Sequence, residues 1–266
     1  MNDTTSSFSL SDAIGIVEGY FAKNPNYELA KTYFEETLKN ASQYDYEKKG
    51  DCYYYLLRLL FKGHIPFEHP IARTYYDRMT EHFMLQEARY KADINREEDM
   101  RKRSVKNSQL KAFYKLMERY YSSLESLYAQ HDFVEAKDRA YFQKMLFRKS
   151  RFLLERQFSL YIGYALLQIS SKYGLSIERW AMTALMSIFI FSLLFYIVDI
   201  PSAVKMVPAA DGYTFDYFYA SASNFTMLGF ADVAPHTALQ KFLSLVEVMM
   251  GYAMLGTLVS IITKRL

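Results

Sequence analysis

The sequence predicts an all-α chain in two parts, a water-soluble helical-hairpin domain over residues 1–171 and a membrane domain over 172–266. Two observations carry this. The 32 basic and 29 acidic residues are unevenly spread, and only eleven of them follow Tyr173. The charged part is punctuated by turn signals at helix-length intervals, with apolar residues stepping by three and four between them.

In the first part, turns are expected at Asn24-Pro25-Asn26, Gly50-Asp51, Gly63-His64-Ile65-Pro66, His69-Pro70 and His131-Asp132. Leu110, Phe113/Tyr114, Met117, Tyr120/Tyr121, Leu124 and Leu127/Tyr128 trace one apolar helical face. The helix expected after His131-Asp132 carries Ala136 and Ala140, small residues that allow close approach. Val17, Phe21, Ala30 and Phe34, and again Tyr120, Leu127 and Ala136, fall at the spacing of tetratricopeptide (TPR)-like hairpins, although most of that consensus is missing. The 24 tyrosines fit amphipathic packing better than a cofactor box. Phe158 to Ile169 is apolar but too short to span, and reads as an interfacial or buried connecting helix.

Residues 101–115 hold Arg101, Lys102, Arg103, Lys106, Lys111 and Lys115 and no acid. Three readings stand for this run: a solvated helix start, contact with anionic lipid, or capture of an anionic ligand such as a nucleotide, oligonucleotide or acidic peptide.

In the second part, residues 180–198 contain no charge. As a helix at ~1.5 Å per residue this stretch is about 28 Å long, close to the ~30 Å hydrocarbon core. Pro201 is expected to end it. Residues 242–262 form a second span whose one charge is Glu247. Lys and Arg concentrate before the first span, at Lys144, Arg148, Lys149, Arg151, Arg156, Lys172 and Arg179, and after the second, at Lys264 and Arg265. This asymmetry places both termini in the cytoplasm. Between the spans, residues 213–225 suit a short helix dipping into the bilayer, followed by a loop over 226–232. Non-helical backbone at that depth is tolerated where it is buried in protein or lines a water-filled cavity.

Thr226, Leu228, Gly229, Phe230, Asp232 and Pro235 resemble the filter loop of the two-span, potassium-channel-like pore module of bacterial ion channel proteins. Tyr173-Gly174-x-Ser176-x-x-Arg179-Trp180 is similar to that module's entry to its first span, and Glu247-x-x-x-Gly251-Tyr252-x-Met254-x-Gly256 to its inner helix. The resemblance covers residues 172–266 and implies a homotetrameric pore for monovalent cations, because one chain supplies one re-entrant segment.

The loop departs from the family twice. Met227 stands where the family has a threonine hydroxyl, and a thioether is a poor ligand for a hard cation. Ala231 stands where it has a second glycine. A Cβ at a position needing positive φ costs on the order of 1 kcal/mol or more. Weak selectivity or poor conduction is expected. Asp232 serves either as an outer ring of carboxylates or as a tie to the pore helix. Glu247, near the outer end of its span, is expected to bond to the loop behind the filter. Gly251 and Gly256 lie on different faces, each open to a packing or a hinge role.

No phosphate-binding loop, dinucleotide fingerprint, zinc-protease motif or paired cysteine ligands occur, and Cys52 stands alone. No enzyme, cofactor or metal is expected. The polar start, Met1 to Ser11, lacks the apolar run of a secretory signal. The expectation is therefore a ligand- or partner-gated, weakly selective cation channel in the bacterial inner membrane, its first domain a sensor, with an antiphage or abortive-infection role. The alternative is a membrane-anchored helical interaction protein with a non-conducting pore.

Overall fold

The computed structural model describes residues 10, 13–14, 27–62, 70–202, 204–207, 214–228 and 234–265. The expected turns at 24–26, 63–66 and His69, and Val17 and Phe21 of the first hairpin, lie outside them. Nine helices occur among the described residues: α1 (Tyr27–Asn40), α2 (Tyr46–Lys62), α3 (Pro70–Arg96), α4 (Met100–Gln130), α5 (Val134–Leu154), α6 (Phe158–Ser171), α7 (Ile177–Asp199), α8 (Thr214–Thr226) and α9 (Ala238–Arg265). The chain forms two compact units, Met1–Gln157 and Phe158–Leu266.

In the first unit, consecutive helices pair: α1 with α2, α2 with α3, and α4 with α5. The three-residue connections Glu97–Asp99 and His131–Phe133 force neighbouring helices to fold back on one another. The first is capped by Asp99, whose carboxylate accepts from the Arg101 N–H at 2.8 Å. The second ends α4 with Asp132 in the left-handed region, φ 58°. The face expected on α4 is the buried one: Leu110, Phe113, Tyr114, Met117, Tyr121, Leu124 and Tyr128 all enter the core. Ala136 and Ala140 of α5 are buried against it. Buried tyrosines put rings in the core and hydroxyls on a neighbouring helix. Tyr114 bonds Glu87 at 2.8 Å, Tyr121 bonds Thr80 at 3.0 Å and Tyr90 bonds Glu47 at 3.0 Å. Each polar tip is satisfied as its ring leaves water.

Gly50-Asp51 is not a turn. Both residues lie inside α2, and a Cβ at Gly50 would stand 2.3 Å from the ring of Phe83. The glycine allows α2 and α3 to approach closely, a tertiary requirement that local sequence does not distinguish from a turn.

In the second unit, Ile177–Asp199 and Ala238–Thr263 are long and apolar enough to cross a membrane. Ser176 caps the first of them, its hydroxyl accepting from the Arg179 N–H at 3.3 Å. The short helix α8 packs against both α7 and α9. Small apolar clusters bind the three together, one around Phe191, Phe195, Tyr217 and Ala220, another around Ala184, Ile188, Phe225 and Met254.

Candidate functional site

The helix α8 is held by both of the long apolar helices, α7 and α9. Glu247 of α9 is fully buried. One carboxylate oxygen accepts from the Ser221 hydroxyl, the other from the Asn224 amide at 2.7 Å. The Ser221 hydroxyl also lies 2.8 Å from the carbonyl of Ile188, so side chains or backbone of α7, α8 and α9 meet at this one group. One turn further along α9, Gly251 lies against the end of α8. A Cβ there would stand 2.1 Å from the Phe225 carbonyl oxygen. The indole N–H of Trp180 donates to the Met254 carbonyl at 2.8 Å, joining α7 to α9 at the same level. Gly256 has no neighbour within 4 Å of where its Cβ would be. The two glycines thus differ: Gly251 makes room for α8, and Gly256 faces away from the rest of its own chain.

Where α8 ends, the Leu228 N–H donates to the Ser223 carbonyl at 3.1 Å and the Met227 N–H to the Asn224 carbonyl at 3.2 Å. Met227 has φ 58°. This is a Schellman cap with a methionine at the position glycine favours. The Thr226 hydroxyl bonds back to the Ala222 carbonyl at 2.6 Å. The carbonyl end of a helix carries a partial negative charge of about half an electron, which favours a cation beside it. The chain leaves that end at Met227, and Leu228 is exposed. Gly229, Phe230, Ala231 and Asp232 lie outside the described residues.

A second buried network ties the other end of the spans, and sequence reasoning missed it. Asp199, at the end of α7, is 1% exposed. It accepts from the backbone N–H groups of Met206 at 2.9 Å and Val207 at 3.3 Å, and from the Gln240 amide at 2.8 Å. The Tyr217 hydroxyl on α8 also bonds it. The Gln240 carbonyl in turn accepts from the His236 and Thr237 N–H groups at 2.9 and 2.8 Å. The Ala234 N–H donates to the Met206 carbonyl at 3.0 Å, joining the chain just before α9 to the stretch that follows α7. Asp199 and Gln240 are 41 residues apart. The only local hint was an acid directly following an uncharged span.

The basic run of α4 is not one patch. Lys106 pairs with Glu97 at 2.7 Å and Lys111 with Glu155 at 2.8 Å. That pairing holds the Glu155 carboxyl below its usual range. Arg101, Lys102, Arg103 and Lys115 are exposed. The three at 101–103 crowd the first turn of α4, where the helix dipole disfavours cations. No cluster of three potential metal ligands occurs among the described residues.

Residues 183–266 match the family model described as an ion channel. The match runs from the first turns of α7 through α8 and the loop to the end of α9. No curated protein and no solved structure matches the chain. The second unit, helical among its described residues, thus carries a stretch similar to an ion channel domain that takes in α8 and most of both candidate spanning helices.

Proposed function

We propose that four copies of this chain surround one conduit, with the segment after α8 as its narrowest part, and that the pore passes monovalent cations with weak discrimination. The observation that carries this is the pinning of α8. Glu247 and Gly251 hold its carbonyl end at the start of the loop where the family has its filter, and Trp180 joins α7 to α9 nearby. A fixed negative helix end favours cations over anions. Met227 lacks the oxygen that a hard cation requires. Met227 and Ala231 both depart from the family pattern, which argues for a conduit that does not sort sodium from potassium.

In this reading both termini lie in the cytoplasm, because Lys and Arg gather at those ends of the spans. The hairpin domain acts as the sensor. Its exposed cations Arg101, Lys102, Arg103 and Lys115 are the place for an anionic ligand such as a nucleotide or oligonucleotide. Opening such a pore would dissipate the bacterial inner-membrane potential, which suits an abortive-infection effector. Expression in bacteria with a potential-sensitive dye tests the reading. Depolarisation that is lost on replacing Gly229 or Phe230 with a bulky charged residue supports it. Toxicity that survives those replacements favours the membrane-anchored interaction protein instead.

A further inference from the structure

Two helices of the first unit, α3 and α5, each pack on α4. Between them lies a cleft of about 570 Å³. That is the size of an ordinary small-molecule site. Its α3 wall carries Tyr76, Asp77, Glu81, Met84 and Leu85, which recur at helical spacing and so share one side of the helix. The α5 wall carries Arg139, Phe142 and Gln143. The base is tied to α4. The buried Tyr76 ring meets the Tyr121 ring of α4 edge-on, with centroids 6.3 Å apart, and the Tyr121 hydroxyl donates to the Thr80 hydroxyl at 3.0 Å.

The lining combines apolar surface with an uncompensated negative charge. Met84 and Leu85 are 44% and 41% exposed, so apolar side chains stand open to water at the cleft. Arg139 is taken by Glu135 at 2.5 Å, and Glu81 by Arg78 at 3.0 Å. Asp77 makes no hydrogen bond or ion pair among the described residues. The amide oxygen of Gln143 is buried and has no hydrogen-bond partner. A buried acceptor in that state favours a donor brought to it.

We propose that this cleft binds a small organic cation, an alkylammonium on a flat aromatic body that carries a second N–H. The ammonium pairs with Asp77. The aromatic body lies against Met84, Leu85 and Phe142 and removes their apolar surface from water. The second N–H bonds the Gln143 oxygen after a turn of the amide about its last side-chain torsion, which is soft. An anion is disfavoured, because Arg139 is already held by Glu135 and Asp77 repels it. An uncharged molecule leaves the Asp77 carboxylate without a partner. The cleft therefore selects the opposite charge from the exposed Arg101, Lys102 and Arg103 at the start of α4. Binding here needs the first unit alone and is independent of any pore.

The test uses the full chain in detergent, carrying Cys52→Ala and a single new thiol, Met84→Cys or, in a separate sample, Leu85→Cys. Maleimide labelling rates are measured with and without tryptamine, which supplies an ammonium, a flat ring and an indole N–H. Tryptamine at saturation is expected to slow both at least about fivefold. It should leave Val105→Cys, at an exposed position of α4, unchanged. Tryptophol, the uncharged counterpart, and indoleacetate, the anionic one, should protect weakly. Asp77→Asn should raise the half-protecting concentration of tryptamine about threefold or more. No slowing at either cleft cysteine overturns the proposal. Equal protection by tryptophol, with no effect of Asp77→Asn, also overturns it, because the cleft would then be an apolar groove without choice of charge. Equal slowing at Val105→Cys overturns it as an effect on the whole chain. Labelling that is slow without any probe and quickens on dilution would mean that a second copy covers the cleft, and overturns it too.

Discussion

The carbonyl oxygen of Phe225 occupies the space that any side chain at Gly251 would need: a Cβ there would stand 2.1 Å away. The end of α8 and the middle of α9 are therefore in backbone contact. Gly251→Ala must push the two helices apart, at a cost of about 1–3 kcal/mol by the usual scale of overpacking. Gly256→Ala meets nothing in its own chain and favours the helix by up to about 1 kcal/mol. Thermal unfolding of both variants in detergent checks the contrast. Equal effects would place the contact elsewhere.

Glu247 holds two donors of α8, and no replacement lacking both acceptors can do so. Glu247→Leu leaves the part-buried Asn224 amide without this partner, at roughly 1–3 kcal/mol, while the Ser221 hydroxyl keeps the Ile188 carbonyl. Glu247→Gln keeps an acceptor for Asn224. The expected order of cation flux in vesicles at matched protein is wild type, then Gln, then Leu with little or none. Full flux from the Leu variant would remove Glu247 from the support of the loop.

Asp199 and Gln240 predict a local effect where α7 ends and α9 begins. Gln240→Leu frees the His236 and Thr237 N–H groups, and Asp199→Ala frees those of Met206 and Val207. Amide hydrogen exchange should quicken at the freed positions in each variant and stay slow at Ser221 and Phe225. Unchanged protection at all four freed amides would contradict the network.

These networks show what the sequence made visible. The uncharged run 180–198, ending just before Pro201, marks a candidate span whatever the rest of the fold does, and the helix expected over 213–225 occurs at Thr214–Thr226. The apolar stripe of α4 was equally plain, because its period is local. What stayed hidden depends on distant partners. Gly50 looked like a turn because the Phe83 ring that requires it lies in another helix. Asp199 gave no local sign of its role because its amide partner is 41 residues away. The basic run at 101–115 looked continuous, although Glu97 and Glu155 neutralise two of its members from outside the run.

Asp51 gives the first unit a pH dependence. Burial chiefly, with the nearby charge of Glu47, raises its carboxyl from the usual carboxylate range to about 7, against the opposing bond from the Tyr120 hydroxyl. A carboxyl whose folded pKa is raised favours folding most fully below its unfolded value, near 4. That contribution is lost as pH rises toward and through about 7. Asp51→Asn removes the dependence. The neighbouring thiol of Cys52 is buried and reacts only on opening. The ratio of wild-type to Asp51→Asn labelling rates should therefore rise between about pH 5 and pH 8. A ratio flat across that range would show that Asp51 ionises normally.

Met227 sits at φ 58° in the cap of α8. Met227→Gly relieves a left-handed Cβ worth about 1 kcal/mol and should raise thermal stability. Met227→Thr restores a hydroxyl oxygen and should shift bi-ionic reversal potentials toward potassium. No shift in the threonine variant would mean that this side chain does not face the ions.

The most direct measurement is a planar-bilayer recording of the purified chain with potassium on one side and sodium on the other, beside Leu228→Lys at equal yield and oligomeric state. Leu228 is exposed where the chain leaves α8. Cation currents reversing near zero in the wild type, and absent in the lysine variant, are the predicted result. A silent wild type, or currents unchanged by the lysine, would contradict a conduit lined by this segment.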